Sequence, residues 1–229
     1  MENDDRDLWR VSRREILALS ASVIAAVSFG GMSGAGISHA ADIRFPEGRC
    51  GGKMKKSVLI AYASKYGSTG EVADAIGKEL CAGGVNADVA LIRNVRNISS
   101  YQGVVVGSAV YMGEWMPEAV EFVKKNRDIL RQMPVAYFLV CMTMRAPTEE
   151  NRRKVLAYLD PVHKEAPQVK PVGTAAFAGA LHYSNLSLPM KIIMKSKGAP
   201  EGDFRDWNAI RAWARDPLYA KFVQDGFGK

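Results

Sequence analysis

The chain has 229 residues, 48% of them hydrophobic, and a formal net charge of +7. That apolar share excludes a disordered chain, and the length beyond the first forty residues suits one domain of about 100–200 residues with a real core. The basic excess favours polyanionic surfaces, meaning nucleic acid, anionic lipid or an acidic partner, or else mere solubility, since no single run is densely basic; no nucleic-acid partner is expected.

Residues 1–40 read as an address. Ser12, Arg13, Arg14, Glu15 and Ile16 lead into an apolar stretch from Leu17 to Gly31. Ser38 and Ala40 are small residues at the positions a signal peptidase inspects, so cleavage after Ala40 is expected. Ser12, Arg13, Arg14 and Leu17 together resemble a twin-arginine export signal, with Ile16 where an aromatic is usual. The resemblance implies that the twin-arginine export machinery carries a folded protein, cofactor included, to the periplasm. Two alternatives stay open. The stretch is a retained membrane anchor, although rich in Ser and Gly for a span of about 20 apolar residues. Or Met54 is the true start and the protein is cytoplasmic.

Residues 41–56, with Pro46, Gly48, Gly51 and Gly52, read as a linker. A strand–helix alternation then runs through 57–229. Residues 57–63 form a short apolar run bounded by turn residues, as a buried parallel strand should. Thr69–Cys81 sets Val72, Ala73, Ile76 and Leu80 on one helical face, and Gly83-Gly84 ends it. Strands are predicted at 87–92, 103–109, 134–142 and 173–181, and helices at 117–131, 148–159 and 204–215. This order predicts an α/β fold, a doubly wound five-stranded parallel sheet with helices on both faces. Ligands of such sheets bind beyond the carboxyl ends of the strands.

The loop after the first strand is Ser64-Lys65-Tyr66-Gly67-Ser68-Thr69. Gly67 permits close backbone approach, three hydroxyls can donate, and the following helix start points N–H groups at the same place. The group held should be a monophosphate, because neither common nucleotide fingerprint is present. The three cysteines form no C-x-x-C pair, and an odd count argues against a disulfide framework. Cys81 and Cys141 read as buried small hydrophobes. No metal constellation can be assembled.

Residues 61–73 resemble the FMN phosphate loop of flavodoxins. Residues 57–215 resemble the menaquinone-dependent protoporphyrinogen oxidase branch of that superfamily, through residues 107–113, 177–183, 190–198 and 206–214. The resemblance implies FMN as cofactor. It implies an oxidoreductase that moves electrons between a reduced substrate and a quinone or other acceptor, with a redox partner protein as the carrier alternative. It implies a ring-side loop with Ser108, Tyr111, Met112, Gly113 and Trp115, in which Tyr111 or Trp115 stacks on the flavin. A third loop would add Met142 and Thr143. His163 reads as solvated in a polar loop, and His182 as lying near the site edge. Residues 186–198 are short, basic and apolar, fit for peripheral contact with an anionic membrane, for a lid over the flavin or for ordinary packing. An export signal points away from protoporphyrinogen as the substrate.

Overall fold

The computed structural model describes residues 43–51, 53 and 56–222. The segment read as an export signal, and Met54, lie outside the described residues. Gly48–Cys50 (β1) is a short edge strand, and Ser57–Ala63 (β2) is central. Asn86–Leu91 (β3), Gly103–Tyr111 (β4), Val135–Val140 (β6) and Gly173–Phe177 (β7) complete the main sheet, in the order β1-β3-β2-β4-β6-β7. Five of these strands run parallel, and β1 pairs antiparallel with β3. Glu114–Trp115 (β5) turns back on β4 as a hairpin. The architecture is the doubly wound α/β fold expected from the strand–helix alternation.

Side chains alternate across a strand, and β2 shows both outcomes. Val58, Ile60 and Tyr62 enter one core with Val72, Ile76 and Leu80 of Ser68–Ala82 (α1). Leu59, Ala61 and Ala63 enter the other with Ala119, Phe122 and Val123 of Pro117–Leu130 (α2). Burial on both faces makes the strands near-continuous apolar runs. Each large aliphatic side chain so buried stabilises the fold by about 1.5–3 kcal/mol.

Several expectations are corrected. Part of the segment read as a linker is packed structure: β1 joins the sheet, and the Tyr62 hydroxyl donates to the Pro46 carbonyl at 2.8 Å. The helix expected over 148–159 is Glu149–Leu156 (α3), then a tight turn and Asp160–Glu165 (α4). His163 therefore lies on a helix, where it is exposed. The strand expected over 173–181 breaks after Phe177, and Ala180–Leu181 (β8) pairs instead with Gly202–Asp203 (β9). Between them stands Leu188–Ser196 (α5). The chain returns to the sheet as Trp207–Trp213 (α6), capped by the Asp206 carboxylate, which accepts from the Asn208 and Ala209 N–H groups. Cys81 is no free apolar side chain: it forms a disulfide with Cys50. The odd count misleads because Cys141 alone stays reduced and buried.

Candidate functional site

The phosphate-type loop sits where β2 hands over to α1. Gly67 has φ +86°, a left-handed conformation that favours glycine. Its N–H donates to Ser64 Oγ at 3.0 Å, which folds the loop on itself. Gly67 itself caps α1, with no side-chain hydrogen bond. The first N–H groups of a helix have no partner within it. Thr69 is fully buried, and its Oγ1 has no hydrogen-bond partner among the described residues. Such a group costs free energy until something bonds to it. Lys65 is exposed at the loop tip, with its ammonium 6.0 Å from the Tyr111 ring centre.

The ring-side segment is a hairpin. Tyr111 and Glu114 pair, and Met112 and Gly113 between them have φ of 57° and 78°. Two successive positive φ values are the signature of a tight primed turn. Met112 is the one described non-glycine residue in that region, a strain of the kind stored at functional sites. Tyr111 meets Tyr66 edge-on at 6.2 Å between centroids, which brings the first two loops together. Burial, then Tyr111, pushes the Tyr66 phenol well above its ordinary pKa. Met190 and Ile193 of α5 pack on Tyr111 from behind.

Two expected site residues have other roles. Trp115 is 1% exposed and stacks edge-on with Tyr137 in the core, so it is not placed to meet a flavin ring. Alternation along β5 sends it inward. Ser108 is fully buried, and its hydroxyl donates to the Ala109 carbonyl and accepts from the Met116 N–H, bracing the hairpin. Met142 and Thr143 start a single tight turn after β6, and Thr143 Oγ1 accepts from the Cys141 thiol at 3.3 Å.

Three features escaped the sequence reading. Gly179 lies between the loops: a Cβ there would sit 3.5 Å from Met142 Sδ and 3.7 Å from Ser68 Oγ. Arg205 bonds Glu71 and Asp203 at 2.7 Å each and reaches the Ser68 carbonyl at 3.4 Å. Burial disfavours its charge, but the bonds to Asp203 and Glu71 outweigh that and raise its pKa. Asp203 is correspondingly lowered, chiefly by the Arg205 hydrogen bond. Tyr66, Ser68, Glu71, His182, Asn185 and Arg205 line a cleft beside the loop. Third, Ile43–Pro46 lie against the outside of the loop. No local motif marks these residues, because each reaches the loop from a distant part of the chain: the N-terminal strap, the end of β7 and the return after α5.

The flavodoxin domain family model matches residues 59–206, which include the loop Ser64–Thr69 and the start of α1. The chain belongs to that family. It is 30% identical over 169 residues to protoporphyrinogen IX dehydrogenase (quinone) of Escherichia coli K12, covering 69% of this chain and 92% of the relative. A Leishmania major protein of the same name is 26% identical over 170 residues, covering 69% and 73%. The solution structure of two-electron reduced Megasphaera elsdenii flavodoxin aligns with a TM-score of 0.42 at 16% identity, covering 62% of this chain and 99% of that one.

The residues of the flavodoxin domain fit a phosphate. An unpartnered buried hydroxyl, a left-handed glycine and a helix start converge on one loop.

Proposed function

We propose that this chain is an FMN-dependent oxidoreductase that moves electrons from a reduced substrate to a quinone or another acceptor. The observation that carries this reading is the unpartnered, buried Thr69 Oγ1 at the start of α1. A terminal phosphate there would bond to Thr69, to Ser68 and to N–H groups of the helix start. Ser64 shapes the loop, and Gly67 lets the backbone come close. When bound, the flavin supplies the electron-transfer chemistry. The chain's own residues anchor and surround it: Tyr111 and Gly113 border the ring side, and α5 backs Tyr111.

The basic balance favours an enzyme over a carrier of the flavodoxin type, and the quinone in the relatives' name supports the acceptor. Of three large hydrophobic side chains exposed among the described residues, Leu188 (58%) and Ile192 (39%) lie one turn apart on α5. Lys191 and Lys195 accompany them. Under this proposal α5 rests on an anionic membrane, where a lipid-dissolved quinone is met. Export is supported by the paired arginines and by the Cys50–Cys81 disulfide, which belongs to oxidising compartments. A substrate other than protoporphyrinogen follows from that location.

The deciding experiment is release of the cofactor by heat and its chromatography. FMN is expected, and the reduced protein should be reoxidised by a quinone. Recovery of FAD, or no flavin after reconstitution, rejects the proposal. For export, changing Arg13 and Arg14 to lysine should hold the precursor in the cytoplasm. Unchanged export would point to general secretion or an anchor.

A further inference from the structure

The disulfide encloses the phosphate-binding unit. Cys50 ends β1 and Cys81 lies in the last turn of α1, with Cα atoms 6.2 Å apart and a separation of 31 residues. The chain between them includes β2, the loop Ser64–Thr69 and nearly all of α1. The same N-terminal strap that ends in Cys50 also forms the outer wall of the loop. A Cβ on Gly67 would lie 2.7 Å from the Arg44 carbonyl oxygen and 3.1 Å from Ile43 Cγ2. A Cβ on Gly70 would lie 2.8 Å from Pro46 Cδ. So strap and helix are tied at both ends of α1: by backbone contact at its start, and by a covalent bond at its finish.

The other ties on the strap run to the sheet: β1 pairs with β3, and the Tyr62 hydroxyl donates to the Pro46 carbonyl at 2.8 Å. Arg49 forks onto Asp88 at 2.6 Å, its own side chain 77% exposed and the carboxylate side chain 12% exposed, a tie to β3 and not to α1. Glu47 accepts from the part-buried Leu91 N–H and, at the surface, from Asn94, again away from α1. The disulfide is the one covalent link between strap and helix.

We propose that Cys50 and Cys81 are positioning residues for the cofactor: their disulfide holds the 43–51 strap against Gly67 and Gly70, and so keeps the phosphate loop closed. This rests on the FMN reading of that loop. The bond forms when both thiols are oxidised, losing two electrons and two protons to a disulfide-donating oxidant of the compartment. A dithiol reductant reverses it, returning two thiols and becoming a disulfide itself. The loop is therefore tight in an oxidising compartment and slack in a reducing one.

The test uses the full-length protein purified without thiol reagents. Denatured and unreduced, it should take up one alkylating group, at Cys141, and three after reduction. Three without reduction would overturn the proposal. Dithiothreitol, or the double change Cys50→Ser with Cys81→Ser, should speed FMN release roughly tenfold, equivalent to about 1.4 kcal/mol. Release of riboflavin, which has the same ring and no phosphate, should be unchanged. Equal loosening of both flavins, or of neither, would mean that the bond merely stabilises the fold. Amide exchange at Gly67–Gly70 should quicken on reduction in the flavin-free protein. If no form binds either flavin, the FMN reading fails, while the thiol count and the exchange rates still decide the clasp.

Discussion

Under the proposed FMN reading, Thr69 and Gly67 serve the site for opposite physical reasons. Thr69 contributes a hydroxyl that the folded chain leaves unbonded. Replacing it by valine removes that orphan with little change of shape, so the flavin-free protein should be equally or more stable. FMN affinity should fall by about 1.5–3 kcal/mol, the usual weight of a hydrogen bond to a charged group. Fluorescence titration and thermal melting together separate the two effects, and loss of stability without loss of affinity would move the phosphate elsewhere. Gly67 contributes space. At φ +86°, with the Arg44 carbonyl 2.7 Å from where a Cβ would stand, Gly67→Val should be worse than the threonine change in both assays. Flavin affinity close to that of the unchanged protein would mean that the loop opens freely, contrary to the closed geometry seen here.

The elements inserted after β7 connect the site to its surroundings. The β8–β9 pair is tied to the first turn of α1 through Asp203, Arg205 and Glu71. Asp203 is held below its ordinary value of 3.8, so its folded pKa lies under its unfolded one. Its stabilising contribution is present above 3.8 and is lost as pH falls through the folded value. Asp203→Asn should therefore lower stability at neutral pH and flatten the acid limb of a stability-against-pH curve. An acid limb identical to that of the unchanged protein would assign the acid sensitivity to other carboxylates. Helix α5 is buried through Met190 and Ile193 while Leu188 and Ile192 face outward. Each lysine near an anionic surface adds about 1 kcal/mol of attraction, which fades beyond a Debye length. The protein without residues 1–40 should co-sediment with anionic vesicles at low salt and release as salt rises. Changing Lys191, Lys195 and Lys197 to glutamate should weaken this and slow transfer to a membrane quinone, with flavin content unchanged. Equal rates to a membrane quinone and a small soluble acceptor in that variant would make α5 ordinary packing.

At the scale of the whole molecule, the disulfide closes a loop of 31 residues' separation. Constraining the unfolded chain in this way stabilises the native state by about 3–4 kcal/mol in the chain-entropy account. Reduction should lower the thermal midpoint accordingly, and an unchanged midpoint would mean that the unfolded chain is already restricted. Among the described residues no helix is long and apolar enough to cross a membrane. Helix α5 itself has nine residues, short of the roughly 20 that a span needs, so its proposed contact is one of lying on a lipid surface.

Residue spacing alone determined the strand–helix alternation, the parallel sheet and the place of the loop Ser64–Thr69 between a strand and a helix. These depend on local physics: short continuous apolar runs bounded by turn residues, a helical stripe, and a glycine between a strand and a helix start. The hairpin at Tyr111–Glu114 was legible as a loop but not in its orientation, because whether Trp115 faces in or out depends on the core that receives it. Tertiary structure alone decided the rest. Cys50 met Cys81 because an edge strand of three residues paired with β3. Gly179 reached the loop Ser64–Thr69 where the chain left the sheet after Phe177, and Arg205 reached it where the chain came back after α5. Contacts between residues more than a hundred positions apart, such as Arg205 with Ser68, leave no period in a sequence; only the packed sheet brings them within bonding distance.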